Sequence, residues 1–98
     1  MRRDDVLQAL AAHRDEFAAM GVSELAIFGS VARDEAAEGS DVDVLVDYVP
    51  GTLLSYFRLF ELQERLEAIL GARVDLGTKG GLRHELREEI LAEAIRAA

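Results

Sequence analysis

The sequence predicts a small α/β (α+β) domain. Three strands form a mixed sheet with helices packed on it, in the order α-β-α-β-α-β-α. Three observations predict this. Two short apolar runs, Leu25 to Phe28 and Val42 to Val46, flank a glycine turn and a brief polar connection, the pattern of strand, turn and strand. Longer stretches on either side carry apolar residues at helical spacing and stop at glycine. A third apolar run, Ala72 to Leu76, lies between Gly71 and Gly77. The 98 residues suffice for one core and are expected to form a single domain over 1–98.

Residues 4–20 are expected to form an amphipathic helix. Val6, Leu7, Leu10, Phe17 and Met20 face inward, and Arg14, Asp15 and Glu16 supply the wet side. Asp4 is placed to cap its start and Gly21 to end it. His13 is expected to be an exposed helix residue, since no second ligand lies at metal spacing. Val22 to Phe28 is the first strand, and Val31-Ala32-Arg33-Asp34 can begin a short helix. The second strand, from Val42, is broken by Pro50-Gly51. Thr52 to Leu70 reads as a long helix with Leu59, Leu62, Leu66, Ile69 and Leu70 as its stripe and Gly71 as its stop. Its aromatics Tyr56, Phe57 and Phe60 are expected in the core rather than as a base-stacking platform. Ala72 to Leu76 is the third strand. Gly77 to Gly81 reads as a mobile connector without the order of a P-loop. Leu82 to Ala97 is the closing helix, with Leu82, Leu86, Ile90, Leu91, Ala94 and Ile95 inward. Glu85, Arg87, Glu88 and Glu93 form its solvated side, and His84 is exposed.

Most of the readable chemistry lies between Leu25 and Asp47. Ser40-Asp41-Val42-Asp43 opens the second strand. Side chains alternate along a strand, so Asp41 and Asp43 share one face, roughly 7 Å apart. Val42, Val44, Val46 and Tyr48 take the other, core-directed face. Two such carboxylates suit hard cations such as Mg²⁺, which prefers oxygen ligands completed by substrate phosphates. Asp47 lies too far along the strand to join them. The connection after Ser30 is too short for a parallel crossover, so neighbouring strands here should run antiparallel. Gly29-Ser30 then faces Asp41 and Asp43 across a small gap, with backbone N–H groups available to an anion. Arg33 follows one turn later. Asp75 stands alone in an apolar run and needs a cation or a metal as partner.

Composition narrows the classes. Lys and Arg number 11 against 19 Asp and Glu, a net charge of −8, and the single lysine is Lys79. A chain that grips nucleic acid carries a basic patch, so direct nucleic-acid binding is not expected; a basic protein partner fits better. Without cysteine there are neither disulfides nor thiolate metal sites. No apolar run approaches a membrane span, and the first residues do not resemble a signal peptide. The expected location is cytoplasmic.

Gly-Ser-x-Ala-Arg followed, ten residues after the Gly-Ser, by Asp-x-Asp resembles the signature of the DNA polymerase β-like nucleotidyltransferases, and more narrowly their minimal, MNT-domain members. The resemblance covers nearly the whole chain. It implies the polymerase β-like nucleotidyltransferase fold and transfer of a nucleotidyl group from ATP with two Mg²⁺ ions. Asp41 and Asp43 match the metal-binding acids, and Val74-Asp75-Leu76 matches the later strand that carries the third, so Asp75 would complete the catalytic set. Gly29, Ser30 and Arg33 would hold the triphosphate. Relatives that act on antibiotics or tRNA carry further domains for the acceptor, which implies that another molecule presents the acceptor here. The chain is similar to the MNT antitoxins of HEPN/MNT toxin–antitoxin pairs. These transfer AMP to a tyrosine of a partner HEPN toxin, a helical RNase, implying a hetero-oligomer. Two alternatives stand beside this: an antitoxin that masks its toxin without turnover, and an enzyme acting on a small hydroxylated molecule with a helical substrate-binding subunit.

Overall fold

The structure, a computed structural model, describes residues 2–37 and 39–98. Its central feature is a sheet of four strands in the order β3-β2-β1-β4. Strands β1 (Val22–Phe28) and β2 (Val42–Tyr48) pair antiparallel, with Leu25 opposite Val46 and Ile27 opposite Val44. The expected antiparallel arrangement follows from a connection too short to cross over. Strand β3 (Val74–Thr78) lies parallel to β2, with Asp43 opposite Asp75. The sheet is mixed, as expected.

The fourth strand corrects the three-stranded expectation. β4 (Ile95–Arg96) pairs antiparallel with β1, Ile27 opposite Ile95, and Leu25 N–H donates to Ala98 O at 2.9 Å. Helical periodicity had carried Ala94 and Ile95 into the closing helix. The free edge of β1 offers N–H and C=O groups that need partners, and a β-branched residue suits a strand. The closing helix, α5 (His84–Glu93), is therefore shorter, and none of its residues is buried. Leu86, expected inward, is exposed.

Helices α1 (Arg3–Ala12) and α2 (Arg14–Ala19) replace the single helix expected over 4–20. The break falls at His13, whose N–H bonds Leu10 O at 3.1 Å and whose ring Nδ1 lies 2.9 Å from Ala9 O. Tight i−3 bonding of this kind ends one helix and redirects the next. His13 is half-buried rather than exposed. Arg2, not Asp4, holds the N-cap position, without a side-chain cap. Arg65 clamps Glu16 through paired hydrogen bonds, one of 2.9 Å, tying α2 to the long helix.

That helix, α4 (Tyr56–Leu70), starts four residues later than expected. Ser55 caps it by accepting from Arg58 N–H at 3.2 Å, and Gly71 closes it with φ +63°. Leu62, Leu66 and Leu70 are buried against Val44, Val46 and Val74 on one face of the sheet, with Val6, Leu10 and Phe17 completing the core. Tyr56, Phe57 and Phe60 are not core residues: they are 92%, 88% and 60% exposed. They lie on the side of the helix turned away from the core, whereas Leu59 packs against the core and Arg58 Nη1 donates to Met20 O at 3.2 Å. The connector expected over Gly77 to Gly81 has regular structure, Gly77 and Thr78 ending β3. Lys79–Gly81 forms a 3-10 turn whose Gly81 N–H donates to Thr78 Oγ1 at 3.0 Å. Among the described residues no helix is long and apolar enough to cross a membrane.

Candidate functional site

The site lies on the sheet face opposite the core, where β1 ends and β2 begins. Phe28, Asp43 and Asp75 stand in one row across β1, β2 and β3. Alternation dictates this: Val42 and Val44 take the buried face, so Asp43 between them must take the other. Val74 and Leu76 place Asp75 in the same way. Asp75 is exposed, not enclosed as its apolar neighbours suggested, because it occupies the open face of an edge strand. Asp41 precedes β2 and is also exposed.

Gly29 ends β1 and opens a one-turn helix, α3 (Gly29–Ala32). Its φ is +71°, a conformation that favours glycine. A Cβ there would stand 3.1 Å from Asp43 Cγ and nearer still to Oδ2. Only glycine lets the turn rest directly on the carboxylate. Ser30 follows half-buried, and its carbonyl accepts from Glu35 N–H at 2.8 Å. The chain leaves α3 through Asp34, at φ +58°, whose carboxylate accepts from Arg3 N–H at 3.1 Å.

Arg33 comes one turn beyond Ser30 and points back across the turn. Its Nε donates to Glu35 at 3.2 Å and its Nη1 to Glu93 at 3.0 Å. Those two bonds, the one to Glu35 foremost, raise its pKa further. Glu93 reaches the site from the end of α5. Its Oε1 accepts from Gly29 N–H at 2.9 Å while Oε2 takes Arg33. Sequence reasoning placed Glu93 on a solvated helix side. No local signal marks it, since 64 residues separate it from Gly29 and only the β4 pairing brings it there.

The carboxylates are electrostatically crowded. Burial pushes the Asp43 pKa up first; the charges of Asp75 and Asp41, a hydrogen bond shared with Asp75 and the charge of Glu93 add to it. Like charges this close favour protonation of one of them. The donor set consists of hard carboxylate oxygens, which fits Mg²⁺ rather than a thiophilic metal. The acids do not make a finished cage: among the described residues no group of three His, Asp or Glu side chains is arranged to hold an ion by itself. A cation here needs further oxygens, as Mg²⁺ usually takes from phosphate and water. The structure thus brings Asp43, Asp75, Gly29 and Arg33 together, with Asp41 and Ser30 at the margin.

Comparison with known proteins adds to the geometry. Residues 10–97 match the nucleotidyltransferase domain family. Protein adenylyltransferase MntA of Thermococcus cleftensis is 41% identical over 93 residues, which cover 94% of this chain and 92% of that protein. A solved structure described as a minimal nucleotidyltransferase superposes with a TM-score of 0.81 at 38% identity, covering 97% of this chain and 95% of the other. A chain in the structure of a tri-AMPylated Shewanella oneidensis HEPN toxin in complex with MNT antitoxin has a similar fold. There the TM-score is 0.60 at 16% identity, over 91% of this chain and 71% of that one.

Proposed function

Because this chain belongs to the nucleotidyltransferase domain family, we propose that it is an antitoxin that transfers AMP from ATP to a hydroxyl, a tyrosine, of a partner HEPN toxin. The observation that carries this is the contact of the Gly29 turn with Asp43, with Arg33 on one side and Asp75 on the other. A backbone N–H and a guanidinium for phosphate thus stand beside acids for a cation.

The residues divide by charge. Gly29 N–H, the Ser30 hydroxyl and Arg33 bind the triphosphate, Arg33 offsetting its charge through directional N–H bonds. Asp41, Asp43 and Asp75 would hold Mg²⁺ as a pair of ions. When bound, Mg²⁺ supplies Lewis acidity to the phosphate oxygens and lowers the pKa of a hydroxyl beside it. Asp75, exposed at the edge, is reachable by an acceptor from outside and takes its proton. The hydroxyl oxygen forms a bond to the α-phosphorus and the bond to the bridging oxygen of pyrophosphate breaks. AMP stays on the acceptor and pyrophosphate leaves.

Three things support the toxin as acceptor: the adenylyltransferase name of a 41% identical relative, the AMPylated toxin beside a similar fold, and the net charge of −8. An acidic enzyme is attracted to the basic surface that an RNase presents to RNA. Nucleic acid itself is not expected to bind. The test separates turnover from masking. A catalytic amount of this protein with ATP and Mg²⁺ should inactivate many equivalents of co-expressed toxin, which should stay inactive after separation and gain the mass of one or more AMP groups. Inhibition that needs stoichiometric amounts, ignores ATP and disappears on separation would leave a masking antitoxin instead.

A further inference from the structure

The last residue of α5 occupies the place that the proposed function gives to phosphate. Glu93 accepts from Gly29 N–H with one oxygen, at 2.9 Å, and from Arg33 Nη1 with the other, at 3.0 Å. A carboxylate at a helix C-terminus faces the negative end of the helix dipole, an unfavourable position. Glu93 stays there because two donors from elsewhere in the fold hold it. Its side chain is only 28% exposed. Two residues later, at Ile95, the chain enters β4, which is paired with β1 just before Gly29, so the carboxylate is delivered to the turn by the sheet itself.

From this we propose that Glu93 is a resident surrogate for the nucleotide's phosphate: it holds the turn in its binding conformation, must be displaced by ATP, and so sets nucleotide affinity. The inference rests on the assignment of Gly29 and Arg33 to phosphate. Both anions need the same N–H, which has one hydrogen to give, so they exclude each other. The carboxylate keeps the Gly29 turn assembled, which spares the nucleotide the cost of ordering it, but it competes for the same donors. Displacement has a second effect. Helix α5 buries none of its residues, and the bonds from Glu93 to Gly29 and Arg33 tie its end to the α3 turn. ATP binding therefore frees the end of α5 next to the active site.

Calorimetric titration of the full chain with Mg²⁺ and the non-hydrolysable analogue AMP-PNP tests this. Glu93→Gln keeps the shape but loses the charge, and should bind roughly tenfold more tightly, since a hydrogen bond to a charged group exceeds a neutral one by about that factor. Glu93→Ala should also bind more tightly, though by less, because the turn loses its support. In the wild type, hydrogen exchange at residues 90–94 should rise when AMP-PNP binds, while exchange at 29–33 falls. Thermal melts check that each variant folds. Unchanged or weaker binding by Glu93→Gln, with wild type binding normally, overturns the surrogate role; a weaker complex would place Glu93 among the cation ligands. If wild type binds no nucleotide, and Arg33→Ala and Asp43→Asn change nothing, the phosphate assignment itself falls.

Discussion

The two sides of the gap between Gly29 and Asp43 are built on opposite electrostatic principles. On the anion-binding side every charge meets its opposite: Arg33 lies between Glu35 and Glu93, and the backbone N–H of Gly29 is engaged. On the acidic side Asp43 faces Asp75, Asp41 and, at longer range, Glu93, all of one sign. None of the ion pairs among the described residues reaches Asp41, Asp43 or Asp75. The first side is stable as it stands and yields only to a stronger competitor. The second is disfavoured by its own charges, so a cation that relieves the repulsion is bound with that free energy added. Preorganisation therefore comes by two routes within a few ångströms, one by internal pairing and one by imposed repulsion.

The largest expected effect comes from removing a charge on the acidic side. Asp43→Asn should reduce AMP transfer at least about a thousandfold, because a misplaced metal forfeits several kcal/mol of transition-state stabilisation. Transfer of radiolabelled AMP to the partner measures it, with circular dichroism confirming the fold; activity within tenfold of wild type would place the chemistry elsewhere.

Next in size is the wall shared by both sides. Gly29→Ala forces a β-carbon into Asp43 at a positive φ, costing about 1–2 kcal/mol for the backbone alone and more for the contact. The Tm should fall by roughly 5–15 °C. Gly51 also has positive φ, +88°, but no atom within 4 Å of its Cβ position. Gly51→Ala should therefore show the backbone component alone. Equal losses at the two positions would mean that the approach to Asp43 is unimportant.

The smallest effect is a pH dependence confined to the acidic side. The folded-state pKa of Asp43 is raised above the unfolded value of about 3.9. Its contribution is then fully favourable below that value and is lost as pH rises through the folded pKa. Without divalent ions, Asp43→Asn should melt a few degrees above wild type at neutral pH, and the gap should close as pH is lowered toward 4. Excess Mg²⁺ with ATP should reverse the order. A gap independent of pH would mean that charge crowding is not its cause.

What the sequence disclosed follows the range of each interaction. Alternation in Asp41-Val42-Asp43-Val44 puts the two acids on the face away from the core, and the short connection makes β1 and β2 antiparallel, since both are local constraints; only the family resemblance sets Asp75 beside them. Glycine punctuation located Gly29 and the end of α4. Three features escaped. Ile95 satisfies a helical stripe as well as a strand, and only the open edge of β1 decides between them. Tyr56 and Phe57 fit a core pattern, but burial depends on which side of α4 the rest of the fold covers, and Leu59 takes that side. Glu93 resembles any wet-face glutamate until β4 folds back to carry it to Gly29.

The exposed aromatic side of α4 gives the molecule a built-in optical reporter. The sequence has no tryptophan and two tyrosines, so intrinsic emission comes from Tyr48 and Tyr56 alone. They differ sharply in access. Tyr56 is 92% exposed, whereas the Tyr48 hydroxyl is buried and has no hydrogen-bond partner among the described residues, and burial raises its pKa. A small collisional quencher divides the emission accordingly: Tyr56 is extinguished first, and half-buried Tyr48 yields less until the end of β2 opens. Anything that settles over Phe57 and Phe60 shields the first signal and leaves the second untouched, so one quenching curve separates coverage of the helix from loosening of the sheet.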